Sequence, residues 1–300
     1  MRRKSIIGVL GMVLAVLTLC SPANAKFGWG HKHRPVYYLA LGTSLAAGIQ
    51  ADQNCDNVLS NVSYPKLLAK TVKKEVKNLE LVNLGCPGET SQTFIDGGKC
   101  SYPLKSQLNQ AVAFLTVHRN STELITIDLG ANDALACVDI VVPSFDIDFQ
   151  CFLDKVDALE SNLEIVLSTL RAVAPEVPII GMSYYNPLLV SYDADPSFAA
   201  LTVVLQKLVN LTIEQVFSDF GIPVADVSGA FMADDLHTDI DNSGFPDSLE
   251  LLCAWTWMCT PCYDIHPNNK GYQVMAEAFE MELPPFKRSK PFRRHYRFWR

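Results

Sequence analysis

The chain has 300 residues, 49% hydrophobic and 19% charged, with a formal net charge of −7. That is ample apolar material for a sizeable core, in one large domain or two small ones. The acidic balance argues against nucleic acid as a partner.

Residues 1–25, MRRKSIIGVLGMVLAVLTLCSPANA, have a basic start, an apolar stretch from Ile6 to Leu19 and a small-residue end at Ala23-Asn24-Ala25. This is the layout of a secretory signal peptide cut after Ala25. As a membrane anchor the apolar run falls short of the ~20 residues needed to span. A lipid anchor on Cys20 is disfavoured by Leu19, which stands where a small residue is required. Cleavage leaves 22 basic against 32 acidic residues, a net −10, in a chain expected to be secreted or periplasmic.

A polar lead-in, 26–34, carries His31 and His33, too close together at a chain end to suggest a metal site. The predicted elements then alternate. Strand 1, Val36 to Leu41, precedes a helix over Tyr64–Val76, with Leu67, Leu68, Val72 and Val76 on one face. Strand 2, LELVNLG, ends at Gly85 and is followed by a helix over Leu104–His118. Strand 3, LITIDLG, ends at Gly130, and a long helix from Asp154 to Val173 is stopped by Pro175. Strand 4, VPIIGMSYY, a helix over Ser197–Phe217, strand 5, IPVADV, and a last helix over Lys270–Glu280 complete the series.

Five apolar strands alternating with amphipathic helices predict a three-layer α/β/α sandwich around a five-stranded parallel sheet, spanning residues 35–283. Ligands of such sheets bind at the carboxyl ends of the strands. Gly42, Gly85 and Gly130 all fall there, so the segments around Ser44, Gly85 and Asn132 are expected to share one rim.

The tail, 284–300, holds seven Lys or Arg from Lys287 onward, interleaved with Phe292, Tyr296, Phe298 and Trp299, against a body of net −17. It suits contact with an anionic membrane or cell surface, or serves as a solvated end. The eight cysteines beyond Cys20 form an even set, which in an exported chain points to disulfides. Short separations favour Cys86–Cys100 and Cys137–Cys151. Zinc on Cys259-x-x-Cys262 with Cys253 is the alternative, weakened by the lack of a second close pair.

Chemistry at such a rim needs a nucleophile, a base and donors for a developing oxyanion. Ser44, in LGTSLAAG, is either a helix N-cap or a nucleophile. Among six histidines, only His266, in YDIHPNNKGY, combines a nearby acid, Asp264, with a tight local context. The Gly85 N–H and the Asn132 side-chain amide are candidate donors, Asn132 being otherwise a turn or capping residue and Asp133 a cap beside it.

Together these blocks, LGTSLAAG, NLGCPGET, GAND and DIHPNNKGY, in that order over Leu41 to Tyr272, resemble the SGNH hydrolases, the GDSL esterase/lipase family. The resemblance implies a flavodoxin-like fold and hydrolysis of carboxylic esters, with small-molecule or lipid ester substrates, by a monomer with no cofactor and no metal. Ser44 would be the nucleophile, His266 the base and Asp264 its acid. Ser44 N–H, Gly85 N–H and Asn132 would form the oxyanion hole. A polysaccharide acetylesterase and a non-catalytic surface-binding protein on the same fold are the alternatives.

Two positions depart from the family pattern. Thr43 stands where the family has an acid before the serine, and Tyr263 stands three residues before the histidine, where the acid is usual. Either Asp264 or a backbone carbonyl near Tyr263 therefore orients His266. Trp255, Trp257 and Met258 either line an acyl-binding wall or pack within their own loop.

Overall fold

The computed structural model describes residues 34–141 and 144–286. The signal segment with Cys20, most of the lead-in with His31 and His33, and the basic tail with His295 lie outside the described residues.

The central sheet has five strands, β1 (Val36–Gly42), β2 (Leu79–Asn83), β3 (Thr122–Asp128), β4 (Ile179–Met182) and β5 (Val224–Ala225). All pairings are parallel, in the order β2-β1-β3-β4-β5. That is the flavodoxin-like order, whose direction of winding reverses between β1 and β3 and opens a crevice there.

Right-handed crossovers put α2 (Tyr64–Val72) on one face and α4 (Gln107–His118), α6 (Phe149–Val173) and α7 (Pro196–Asp219) on the other. The final helix, α10 (Asn269–Met281), packs beside α2. Short helices sit at the carboxyl ends of the strands: α1 (Ser44–Ala47) after β1, α3 (Ser91–Asp96) after β2, α5 (Ala131–Leu135) after β3 and α8 (Val227–Ala230) after β5. A further helix, α9 (Asp247–Trp255), precedes the strand that bears His266. The three-layer α/β/α sandwich expected from the alternation is the fold observed.

Helix starts follow side-chain capping. Ser63, Ser106, Asp148, Asp195 and Asn268 each accept a backbone N–H of the first turn of α2, α4, α6, α7 and α10. The cap at Asp148 starts α6 five residues before the expected Asp154. In α2 the last regular turn closes at Val72 rather than Val76. Three two-stranded ribbons, Ile49–Ala51 with Asn57–Leu59, Val138–Val141 with Ser144–Ile147, and Thr256–Trp257 with Asp264–Pro267, were not expected from the sequence pattern.

Four disulfides are present: Cys55–Cys262, Cys86–Cys100, Cys137–Cys151 and Cys253–Cys259. Both expected pairs are among them. Cys259 and Cys262 bond to different partners, which removes the zinc alternative.

Candidate active site

At the end of β1 the chain turns sharply through Gly42, at φ +132°. A Cβ on Gly42 would collide with the backbone and side chain of Asp128, its register partner on β3, so only glycine allows this approach. Gln107, buried at the start of α4, clasps both backbone groups of Gly42, accepting from its N–H at 2.7 Å and donating to its carbonyl at 2.9 Å. Thr43 is the cap of α1, its hydroxyl accepting the Leu45 N–H at 3.3 Å. Ser44 is thus the first helical residue and not the cap. Its N–H has no partner among the described residues, as expected of a first-turn amide.

His266 lies on the short strand Asp264–Pro267. Residues two apart on a strand share a face, so Asp264 meets the ring of His266 directly. Nδ1 stands 2.9 and 3.1 Å from the two carboxylate oxygens, and the His266 N–H also donates to Asp264 at 2.9 Å. Burial works to raise the Asp264 carboxyl, but hydrogen bonds from the His266 ring, the ring's charge, the His266 N–H and Asn57 prevail and hold it below its ordinary value. Tyr263, at the position where the family carries its acid, is exposed and takes φ +46°. The arm is anchored behind the ring by Tyr185, whose hydroxyl donates to the Ile265 carbonyl at 2.6 Å, and by the Cys55–Cys262 bridge.

Asn132, in α5, donates from Nδ2 to the Glu89 carbonyl at 2.9 Å, which fixes its amide beside the loop that follows β2. Asp133 does more than cap a turn: its buried carboxylate accepts the Ser91 N–H and the Ser91 hydroxyl, tying α5 to α3. Gly85 departs from expectation. Its N–H donates to Asn83 Oδ1 at 2.9 Å, and its Cα lies against Ala46 and Ala47. A consumed N–H is not available to an oxyanion. In the same loop, Gly88 at φ +74° precedes Glu89 and has no partner for its N–H among the described residues. Both glycines were visible in NLGCPGET; the hydrogen bond from Gly85 to Asn83 and the left-handed backbone of Gly88 tell them apart.

Thr43, Ser44, Asn132 and His266 border one narrow cavity. Its wall is mostly apolar, with Leu135 from α5, Phe152 from α6, Leu205 and Val209 from α7, and Leu188 beyond β4. Trp255, Trp257 and Met258 contribute nothing to it. Trp255 packs edge-on against Phe231, the Trp257 indole N–H points to Gln50, and Met258 is buried in the core. Neither reading of that aromatic segment holds: it lies outside the cavity and packs against Phe231 and Gln50 from other parts of the chain.

Of the other histidines, His118 packs against Tyr37 and Phe114, and His237 sits in an acidic turn, its N–H bound to Asp235. No group of three or more His, Cys, Asp or Glu suited to a metal ion occurs among the described residues.

Asp128 is a buried carboxylate bonded directly to the segment that carries Ser44. Burial raises it to about 7, against the lowering effect of hydrogen bonds from the Thr43 and Tyr64 side chains and from the Thr43 and Ala46 amides.

No curated protein matches this sequence. Solved structures that resemble it include an extracellular lipase from Streptomyces rimosus, at 18% identity and TM-score 0.52, covering 82% of this chain and 99% of that one. A catalytic mutant of an acetylxylan esterase from Geobacillus stearothermophilus matches at 15% identity and TM-score 0.51, covering 84% and 95%. A lipase from a goat rumen metagenome matches at 15% identity and TM-score 0.51, covering 82% and 97%. At these identities the likeness speaks for the fold alone. The profile of the GDSL-like lipase/acylhydrolase family matches residues 40–274, most of the chain and all four sequence blocks. The chain belongs to that family, the one its four blocks resemble.

Proposed function

We propose that this protein is an exported serine hydrolase that cleaves carboxylic esters with an aliphatic acyl chain. The observation that carries the reading is the apolar cavity bordered by Ser44, by the Asp264-bound His266 and by Asn132.

The Ser44 hydroxyl attacks the ester carbonyl while Nε2 of His266 takes its proton. Asp264, on Nδ1, fixes the tautomer that leaves Nε2 free as the base and steadies the imidazolium that follows. The oxyanion is received by the Ser44 N–H, the Asn132 amide and the Gly88 N–H, with Gly88 in the place first expected of Gly85. His266 then protonates the departing alcohol, and water, activated by the same ring, releases the acid and restores Ser44.

The acyl group sits in the cavity among Leu135, Phe152, Leu188, Leu205 and Val209. The apolar character of that wall favours an aliphatic acyl chain over polysaccharide deacetylation. The signal-like leader and four disulfides support export. The basic tail supports contact with an anionic surface.

A fluorophosphonate probe tests the chemistry. Labelling of the wild type that disappears in Ser44→Ala is the expected result. An unlabelled wild type with no esterase activity overturns the reading in favour of a binding protein on this fold.

A further inference from the structure

Asp128 ends β3 directly opposite Gly42 and is fully buried. It is a buried acid, and no cation pairs with it among the described residues. A buried charge without a counter-charge is costly and persists only where hydrogen bonds hold it. Here they are strong. Oδ1 accepts the Thr43 N–H at 2.7 Å and the Thr43 hydroxyl at 2.6 Å, while Oδ2 accepts the Tyr64 hydroxyl at 2.7 Å.

The chemistry above assigns Asp128 no step, yet its main contact is the residue before Ser44. The helix carrying Ser44 has only four residues, about one turn, closed by the Ala47 and Gly48 amides on the Thr43 and Ser44 carbonyls. So short a helix cannot set its own direction. Its entry point is fixed from outside, by Asp128 on Thr43 and by the Gln107 clasp on Gly42. Position 43 is also where the family pattern carries an acid and this chain does not.

We propose that Asp128 is the positioning residue of the nucleophile, supplying from β3, through Thr43, the carboxylate that the family pattern places immediately before the serine. Tyr64 steadies the other oxygen from α2, so the direction of α1 is set by a Tyr64–Asp128–Thr43 relay across three elements. The inference rests on Ser44 being the nucleophile.

The test is steady-state hydrolysis of an aliphatic p-nitrophenyl ester by Asp128→Asn, Thr43→Val, Thr43→Ser and the Asp128→Asn/Thr43→Val double variant, with Ser44→Ala as control and thermal melts on each. Misplacing a reacting group by about 1 Å costs on the order of 10²-fold. Asp128→Asn and Thr43→Val are therefore expected to lose about 10²-fold in kcat with KM near the wild-type value. The double variant is expected to be no worse than the poorer single, because both break one linkage. Thr43→Ser keeps the hydroxyl and retains most of the rate.

Wild-type kcat in either single variant overturns the proposal, as does an additive loss in the double. So does a loss in Thr43→Val that Thr43→Ser shares. If Asp128→Asn fails to fold, Thr43→Val, which leaves the carboxylate in place, decides alone. Activity surviving in Ser44→Ala refutes the underlying reaction; an inactive Ser44→Ala beside fully active Asp128 and Thr43 variants refutes only the positioning role.

Discussion

Asp264 and His266 stand two residues apart on one strand, and that spacing puts carboxylate and imidazole on the same face with Nδ1 within 3.1 Å of both oxygens. An acid three residues before the histidine would need a turn between them. This chain uses the pleat. Asp264→Asn is expected to lower kcat by roughly 10³-fold with KM little changed, because the amide no longer fixes the tautomer. Adding Tyr263→Asp to Asp264→Ala should not restore the rate, since position 263 is exposed and in a left-handed conformation. Hydrolysis rates of the two variants check both statements.

Stability should fall as pH rises through the acidic range, through Asp128. Its carboxyl is raised from 3.8 to about 7 in the folded state. Between those values the folded chain keeps a proton that the unfolded chain has released, so raising the pH favours unfolding. The contribution is on the order of 4 kcal/mol, complete above about pH 7. Asp264 acts with the opposite sign, its lowered carboxyl withdrawing stability only as pH falls below the ordinary carboxylate range. Urea unfolding at pH 5 and pH 8 should show the loss in the wild type and a smaller one in Asp128→Asn.

The acyl preference should follow the cavity wall. Leu205→Trp places an indole among Phe152, Leu188 and Val209. Long-chain esters should lose at least about tenfold in kcat/KM, while acetate and butyrate esters change little. A series of p-nitrophenyl esters of increasing chain length reads the difference.

The Cys55–Cys262 bridge closes the longest loop of the four, 207 residues, and holds the segment leading to Asp264 and His266. Replacing both cysteines with serine should cost about 2–4 kcal/mol by urea unfolding. It should also lower kcat, because the histidine arm loses its tether to the ribbon at Asn57–Leu59.

The sheet was legible because long apolar strands ending in glycine alternate with helical periodicity, and Ser44, Asn132 and His266 fall on strand ends or beside them. The three small ribbons were not, since strands of two to four residues carry too little periodicity to register. That the Gly85 amide is already bonded to Asn83 was not legible. Gly85 and Gly88 look alike in sequence, and what separates them is in part the Asn83 side chain, which ties down one amide and, through Nδ2, holds the Ala46 carbonyl. The tryptophans misled for a related reason: proximity in sequence to His266 did not bring them to the cavity, whose wall comes from helices before β4 and after it. Asp128 left a trace, an acid within LITIDLG, but its meaning depends on a neighbour 85 positions away.

The Cys137–Cys151 bridge encloses the ribbon whose flanking residues Val138 and Ile147 form part of the cavity wall. Ser44, His266 and Asp264 owe nothing to it. Protein matured without that bond would therefore keep Ser44 and the Asp264–His266 pair and lose definition first where the tail of a substrate lies and at the end of the helix bearing Asn132. Screening such material with a short chromogenic ester would pass it as sound, and only a long-chain substrate would expose the defect.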